Sequence, residues 1–316
     1  MINKTVKIAT ITLNPAIDRT VSIPNFKAGQ VNRVAWEQSN AGGKGVNVAS
    51  VLADYGFSLA VTGFLGAENS TIFEQLFARK KIEDRFVRIA GQTRSGIKII
   101  DEVNQETTDL NFPGQAPTEA DAAQLFQIVE ELAAACAWFV LAGSIPAGLN
   151  PNIYGELVKL IKSKGRAVAL DTSGEALRQA LPAAPTLVKP NIDELQELVG
   201  HRLETQAAVI QAARSWLAQG MQTVVVSMGA AGAIFVETEE VVLAQPPKVT
   251  VKSTVGAGDA MVSGTVAGKT QGLSLADCAR LATAFSASAV SQVGLGLPSL
   301  DIIENFKNQV NINHLN

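Results

Sequence analysis

The constraint that most narrows the fold is a change of rhythm repeated along the chain. Short runs of β-branched and small apolar residues alternate with stretches of helical period. Residues 6–13, LAVTGFLG (59–66), WFVLAGSIP (138–146), RAVALDTS (166–173), TLVKPN (186–191) and QTVVVSMG (222–229) read as strands. VNVASVLADYG (46–56), STIFEQLFARKK (70–81), EADAAQLFQIVEELAAAC (119–136), NPNIYGELVKLIKSKG (150–165), DELQELVG (193–200), 260–271 and 274–292 read as helices. Strands that are apolar on both faces and separated by helices predict a doubly wound, mostly parallel α/β sheet. Two segments break the rhythm. Around 14–38 and 93–113 the extended pieces are short and mixed in polarity, and they predict a second, small sheet. The chain of 316 residues is expected to be one domain, 1–316, carrying that small sheet.

Composition removes several function classes. A formal net charge of −3 gives no nucleic-acid or membrane-surface signature. Cys136 and Cys278 are far apart and in no paired motif, so neither a disulfide framework nor a zinc site is expected, and a reducing, cytoplasmic setting fits. The apolar run in MINKTVKIATITLNP is too short for a signal peptide or a membrane span. There is no GxSxG elbow and no HExxH, and Ser144 has no supporting histidine, so a hydrolase triad is poorly supported.

In such sheets ligands bind beyond the carboxyl ends of the strands. The unusual residues gather there: Asn14, Ser144, Asp171, Asn191 and Ser227. In TVGAGDA (254–260), Gly256, Ala257 and Gly258 lead into helix formers, so backbone N–H groups converge where an anion can bind. Asp259 at that mouth is either a base for a substrate hydroxyl or a dipole-favoured carboxylate after a glycine turn. In AGGKGVN (41–47), Gly42 and Gly43 allow a ligand close to the backbone and Lys44 offers a point charge, or the segment is a tight turn with a solvated lysine. It lacks the spacing of a P-loop. Asn47, one turn on, can bond sugar hydroxyls. In KPNIDE (189–194), Asn191 and Glu194 share a helical face, suiting Mg²⁺ held through water or, equally, a capping box. SMGAAG (227–232) is a nucleotide-phosphate loop or a β-turn. Asp18 lies just beyond the first strand, and Asp171 reads as a strand-end cap.

In chain order, TLNPAID (12–18), AGGKGVNVASVLADYG (41–56), TRSGIKI (93–99), TDLNFPG (108–114), GSIPAG (143–148), KPNIDEL, SMGAAG and TVGAGDA resemble the ribokinase-like (PfkB) family of carbohydrate kinases over almost the whole chain. The resemblance implies ATP and Mg²⁺ as partners in phosphoryl transfer. Asp259 would be the base and Gly256, Ala257 and Gly258 the anion hole. Asp18, Gly42, Gly43, Asn47 and Ser144 would lie around the sugar, and Lys44, Arg94 and Lys98 would hold a phosphate already on it. Asn191 and Glu194 would organise Mg²⁺. Lys189, Ser227, Gly229, Gly232 and Thr254 would line the nucleotide site. The small sheet would be a lid that pairs two copies into a homodimer. An acceptor that is already phosphorylated follows from Lys44, with fructose 1-phosphate ahead of tagatose 6-phosphate or fructose 6-phosphate. A sugar-phosphate sensor without activity is the alternative of another class. One departure stands out: the family often has Asn after the TR pair, where this chain has Ser95-Gly96.

Overall fold

The computed structural model describes residues 7–315 except Val293 and Leu295. The chain starts with β1 (Lys7–Thr12), β2 (Ala16–Ser22), β3 (Trp36–Gly42), α1 (Lys44–Tyr55), β4 (Ser58–Gly66), α2 (Thr71–Lys80), β5 (Glu83–Asp84), β6 (Val87–Ile89), β7 (Ser95–Asp101) and β8 (Glu106–Asn111). It continues through α3 (Glu119–Ala133), β9 (Cys136–Ala142), α4 (Ile153–Ser163), β10 (Ala167–Asp171), α5 (Gly174–Ala180), β11 (Leu187–Val188), α6 (Ile192–Val199), α7 (Gln206–Leu217) and β12 (Thr223–Ser227). It ends with β13 (Ala233–Val236), β14 (Val241–Gln245), α8 (Ala257–Thr270), α9 (Leu275–Val290), α10 (Leu300–Gln309) and β15 (Asn311–His314). The expected start of the first strand at Val6 lies outside the described residues.

The large sheet has the order β15-β14-β13-β12-β11-β10-β9-β1-β4-β5, with β6 beside β4. Pairing is parallel from β12 to β5 and antiparallel from β12 to β15. Alternate residues serve two cores, as the pleat requires. Ala9, Ile11, Phe139, Leu141, Val168 and Leu170 pack under α3 to α7. Ile8, Val140, Ala142 and Ala169 pack under α1, α2, α8 and α9. This two-sided burial is why the strands read as continuous apolar runs. Helices α8 and α9 approach closely: a Cβ at Gly264 would lie 2.5 Å from the Ala282 Cα. That contact locks α8 against α9.

The small sheet has the order β3-β2-β7-β8. It uses the two segments singled out in the sequence, but β3 runs on to Gly42, past the expected limit at 38. Its buried apolar cluster is Val21, Ile23 and Ile99. The Asp101 carboxylate accepts from the backbone N–H groups of Asn25, Phe26, Val103 and Asn104 and from the Asn104 amide, which ties the β2 and β7 turns together. Despite burial, these bonds hold Asp101 down at about 2.

Candidate active site

Asp259 stands in the first turn of α8, after Gly256 in the left-handed conformation at φ 79°. Only glycine takes that backbone without penalty, and the turn aims the N–H groups of the helix start at one point. The carboxylate is 6% exposed and accepts a 2.7 Å hydrogen bond from the Asn47 amide on α1. Burial, followed by the nearby charge of Asp171, pushes Asp259 up to about 6, against the lowering effects of Asn47, Lys44 and Lys189.

Around it lies an ion cluster. The Asp171 carboxylate, 1% exposed at the end of β10, holds the Nζ atoms of Lys44 and Lys189 at 3.3 Å each through one oxygen, Oδ1. Among the described residues its Oδ2 is buried without a partner. Burial alone would raise Asp171, but the two lysines outweigh it and keep it below the usual carboxylate range. Burial likewise opposes the charge on Lys44, and Asp171, Asp259 and Glu194 overcome it, so its pKa is raised. Lys189 also borders the α8 mouth, with Nζ 3.5 Å from where a Cβ on Gly258 would sit. Sequence reasoning underrated Asp171. LDTSG carries no local mark, and its partner Lys44 is 127 residues away.

Asn191 and Glu194 realise the capping box. Asn191 Oδ1 accepts from the Glu194 N–H and Glu194 Oε2 from the Asn191 N–H, both at 2.8 Å. That occupies one oxygen of each side chain and leaves Glu194 Oε1 free among the described residues. Ser227, at the end of β12, sits beside Asn191, the N-cap of α6, through an isolated parallel bridge. Gly229 begins a short turn, and Gly232 (φ 99°) leaves it where a Cβ would overlap the Ala244 carbonyl. Thr254 is exposed just before the α8 mouth.

A second group lies under the small sheet. Asp18 on β2 is flanked by glycines: a Cβ at Gly42 would overlap its carboxylate, and one at Gly96 would lie 3.0 Å from Oδ1. Burial raises Asp18, opposed by Arg94 and Lys98. Arg94 donates to the Asn14 carbonyl at 3.3 and 3.4 Å, and Asn14 donates to Ser144 Oγ at 3.1 Å. Gly43, at φ 115°, opens α1 beside Pro15 and Thr12. The cations grouped in the sequence thus have different partners here: Lys44 faces Asp171, Arg94 leans on Asn14, and Lys98 pairs with Asp109 at 2.8 Å.

Comparison with known proteins decides the family. Residues 3–302 match the pfkB family of carbohydrate kinases. The chain belongs to that family. It is 50% identical over 295 residues to a 1-phosphofructokinase of Rhodobacter capsulatus, covering 93% of each chain. It is 40% identical over 311 residues to a 1-phosphofructokinase of Vibrio cholerae, covering 98% of each. Among solved structures, phosphofructokinase-2 of Escherichia coli in complex with substrates and products matches with a TM-score of 0.89 at 30% identity, over 96% of this chain and 99% of that one. Among the described residues no helix is long and apolar enough to cross a membrane.

As a pfkB carbohydrate kinase, the protein is a phosphotransferase, and the raised pKa of Asp259 has a measurable consequence. Were Asp259 the base of the transfer, it would have to be ionised to accept a proton, and burial holds its pKa up at about 6. The value of kcat/KM for the sugar should be flat above about pH 7 and fall tenfold per unit well below pH 6. A pH–rate profile with its acid limb near pH 4, the range of an ordinary carboxylate, would contradict this.

Proposed function

We propose that the protein transfers the γ-phosphoryl group of ATP to fructose 1-phosphate, giving fructose 1,6-bisphosphate and ADP. The observation that carries this is the buried Asp259, poised by Asn47 at the N-terminus of α8. Asp259 takes the proton of the C6 hydroxyl. That oxygen forms a bond to the γ-phosphorus as the bond to the β–γ bridging oxygen breaks, and ADP departs with the electron pair. The N–H groups at 256–258 meet the charge spreading over the γ-phosphoryl oxygens. Lys189 and Lys44, held by Asp171, stand where transferred or resident phosphate needs cations. Asp18, Gly42, Gly43, Asn47 and Ser144 surround the sugar, and Arg94 and Lys98 add cations beside it. Ser227, Gly229, Gly232 and Thr254 border the nucleotide.

The donors fit Mg²⁺, a hard ion that favours oxygen. Among the described residues Asp171 has an orphaned buried oxygen and Glu194 one outside its capping bond. With Asn191 they would hold the ion, directly or through water, and bound Mg²⁺ would offset charge on the nucleotide phosphates. The small sheet serves as a lid over the sugar. Its exposed Trp36 and Leu110, with Val31 and Phe112 in the adjoining loops, suit pairing with a second copy, so a homodimer is expected. Both thiols, Cys136 and Cys278, are buried and free, in keeping with a cytoplasmic protein.

A panel of fructose 1-phosphate, tagatose 6-phosphate and fructose 6-phosphate with MgATP tests the substrate. Fructose 1-phosphate should lead in kcat/KM by about tenfold or more, the worth of roughly one well-placed contact. Equal or better use of either of the others would contradict the assignment.

A further inference from the structure

Position 96 breaks the pattern of the small sheet in a way that exposes another residue. Asp18 on β2, Gly96 on β7 and Asn111 on β8 are register partners in a row, so their side-chain positions share one face. Neighbours across a sheet ordinarily pack against each other. Here the middle residue has no side chain. Asp18 Oδ1 approaches the vacant Cβ position to 3.0 Å from one side and Asn111 Oδ1 to 3.7 Å from the other. A trough results, with a carboxylate on one wall and an amide on the other.

Neither wall is satisfied by the protein. Among the described residues the Asn111 amide and the Asp18 carboxylate have no hydrogen-bond partner. The trough also adjoins the site. Three residues after Asn111, a Cβ on Gly114 would overlap the Asn14 amide oxygen and lie 3.6 Å from Arg94 Cδ. On the same face, two residues along, Lys98 pairs with Asp109. Asp18 can only accept hydrogen bonds when ionised, whereas an amide both donates and accepts. The two walls together can therefore satisfy a hydroxyl completely, and the neighbouring cations suit an acceptor that also carries phosphate.

We propose that Asn111 is a specificity-determining residue that binds a hydroxyl of the phosphorylated sugar across the gap left by Gly96, opposite Asp18. This rests on the sugar-phosphate kinase reading of the site. It accounts for Gly96 as a functional vacancy, and it assigns the exposed end of β8 to acceptor binding.

The test uses the full-length protein, MgATP and whichever sugar phosphate the wild type uses best. A wrong substrate assignment is then read from the wild type alone, separately from this proposal. Asn111→Ala should raise KM for the sugar phosphate about 3- to 10-fold, the range of one neutral hydrogen bond. KM for MgATP, kcat and the melting temperature should stay within error of wild type. Asn111→Asp should raise the sugar KM further, because a second carboxylate then faces Asp18 and an anionic acceptor. An unchanged sugar KM in either variant would overturn the proposal. So would parallel rises in both KM values, which would mark Asn111 as merely structural.

Discussion

Replacing Asp259 with Asn should lower kcat by about 10³-fold or more, while the protein stays folded and KM for the sugar moves by only a few-fold. The change is close to isosteric, and an amide oxygen can still accept from Asn47 Nδ2, the 2.7 Å contact that positions the side chain. What is lost is the lone pair that takes the hydroxyl proton. Stability should not suffer. The carboxylate is buried, and both burial and Asp171 already work against its charge. A neutral amide there removes that conflict. Steady-state kinetics and a melting curve on the same preparation decide the matter. Turnover within tenfold of wild type would remove Asp259 from the role of base.

Asp171→Ala is the second change with a large expected effect, and it acts by a different route. Asp171 is the common counter-ion of Lys44 and Lys189, and Lys189 is only 5% exposed. Removing one partner of a buried pair leaves a charge with nothing to offset its desolvation, at a cost of about 3–5 kcal/mol. The denaturant midpoint should fall accordingly, and kcat/KM should drop by about 10²-fold as both lysines lose their placement. Asp171→Asn separates electrostatics from packing. It keeps the shape but removes the second-largest cause of the raised Asp259 pKa, and it leaves the opposing lysines unneutralised. The acid limb of the pH–rate profile should therefore move below pH 6. An acid limb that stays in place would mean that the two carboxylates do not sense each other.

Most of the frame of this site was legible because it depends on local chemistry. The αL glycine at 256 and the carboxylate at 259 fall within four residues, just ahead of the helix formers, so one short string specifies the turn into α8 and its first-turn acid. Asn191 and Glu194 could be read as a capping box for the same reason, and the structure forms that box. Buried parallel strands announce themselves by being apolar on both faces. What escaped is non-local. Asp171 looks like any acid at a strand end until the fold brings Lys44 and Lys189 to one of its oxygens. Of the antiparallel edge formed by β13, β14 and β15, the sequence offers only a turn into a next strand at SMGAAG, as one of two readings. SMGAAG allowed a loop as well as a turn, and NINH is too short and polar to signal a strand. The gap at Gly96 becomes visible only through register, since nothing in TRSGIKI says that Asp18 and Asn111 flank it.

The central claim is phosphoryl transfer from ATP to a hydroxyl of an already phosphorylated ketose, with Asp259 receiving the proton. Phosphorus NMR of the protein with MgATP and fructose 1-phosphate tests it most directly. The account predicts loss of the γ-phosphate signal, appearance of ADP and a second phosphomonoester on the same sugar, at the rate set by wild-type Asp259 and abolished in Asp259→Asn. Release of inorganic phosphate without a new sugar ester, or no consumption of ATP at all, would contradict it.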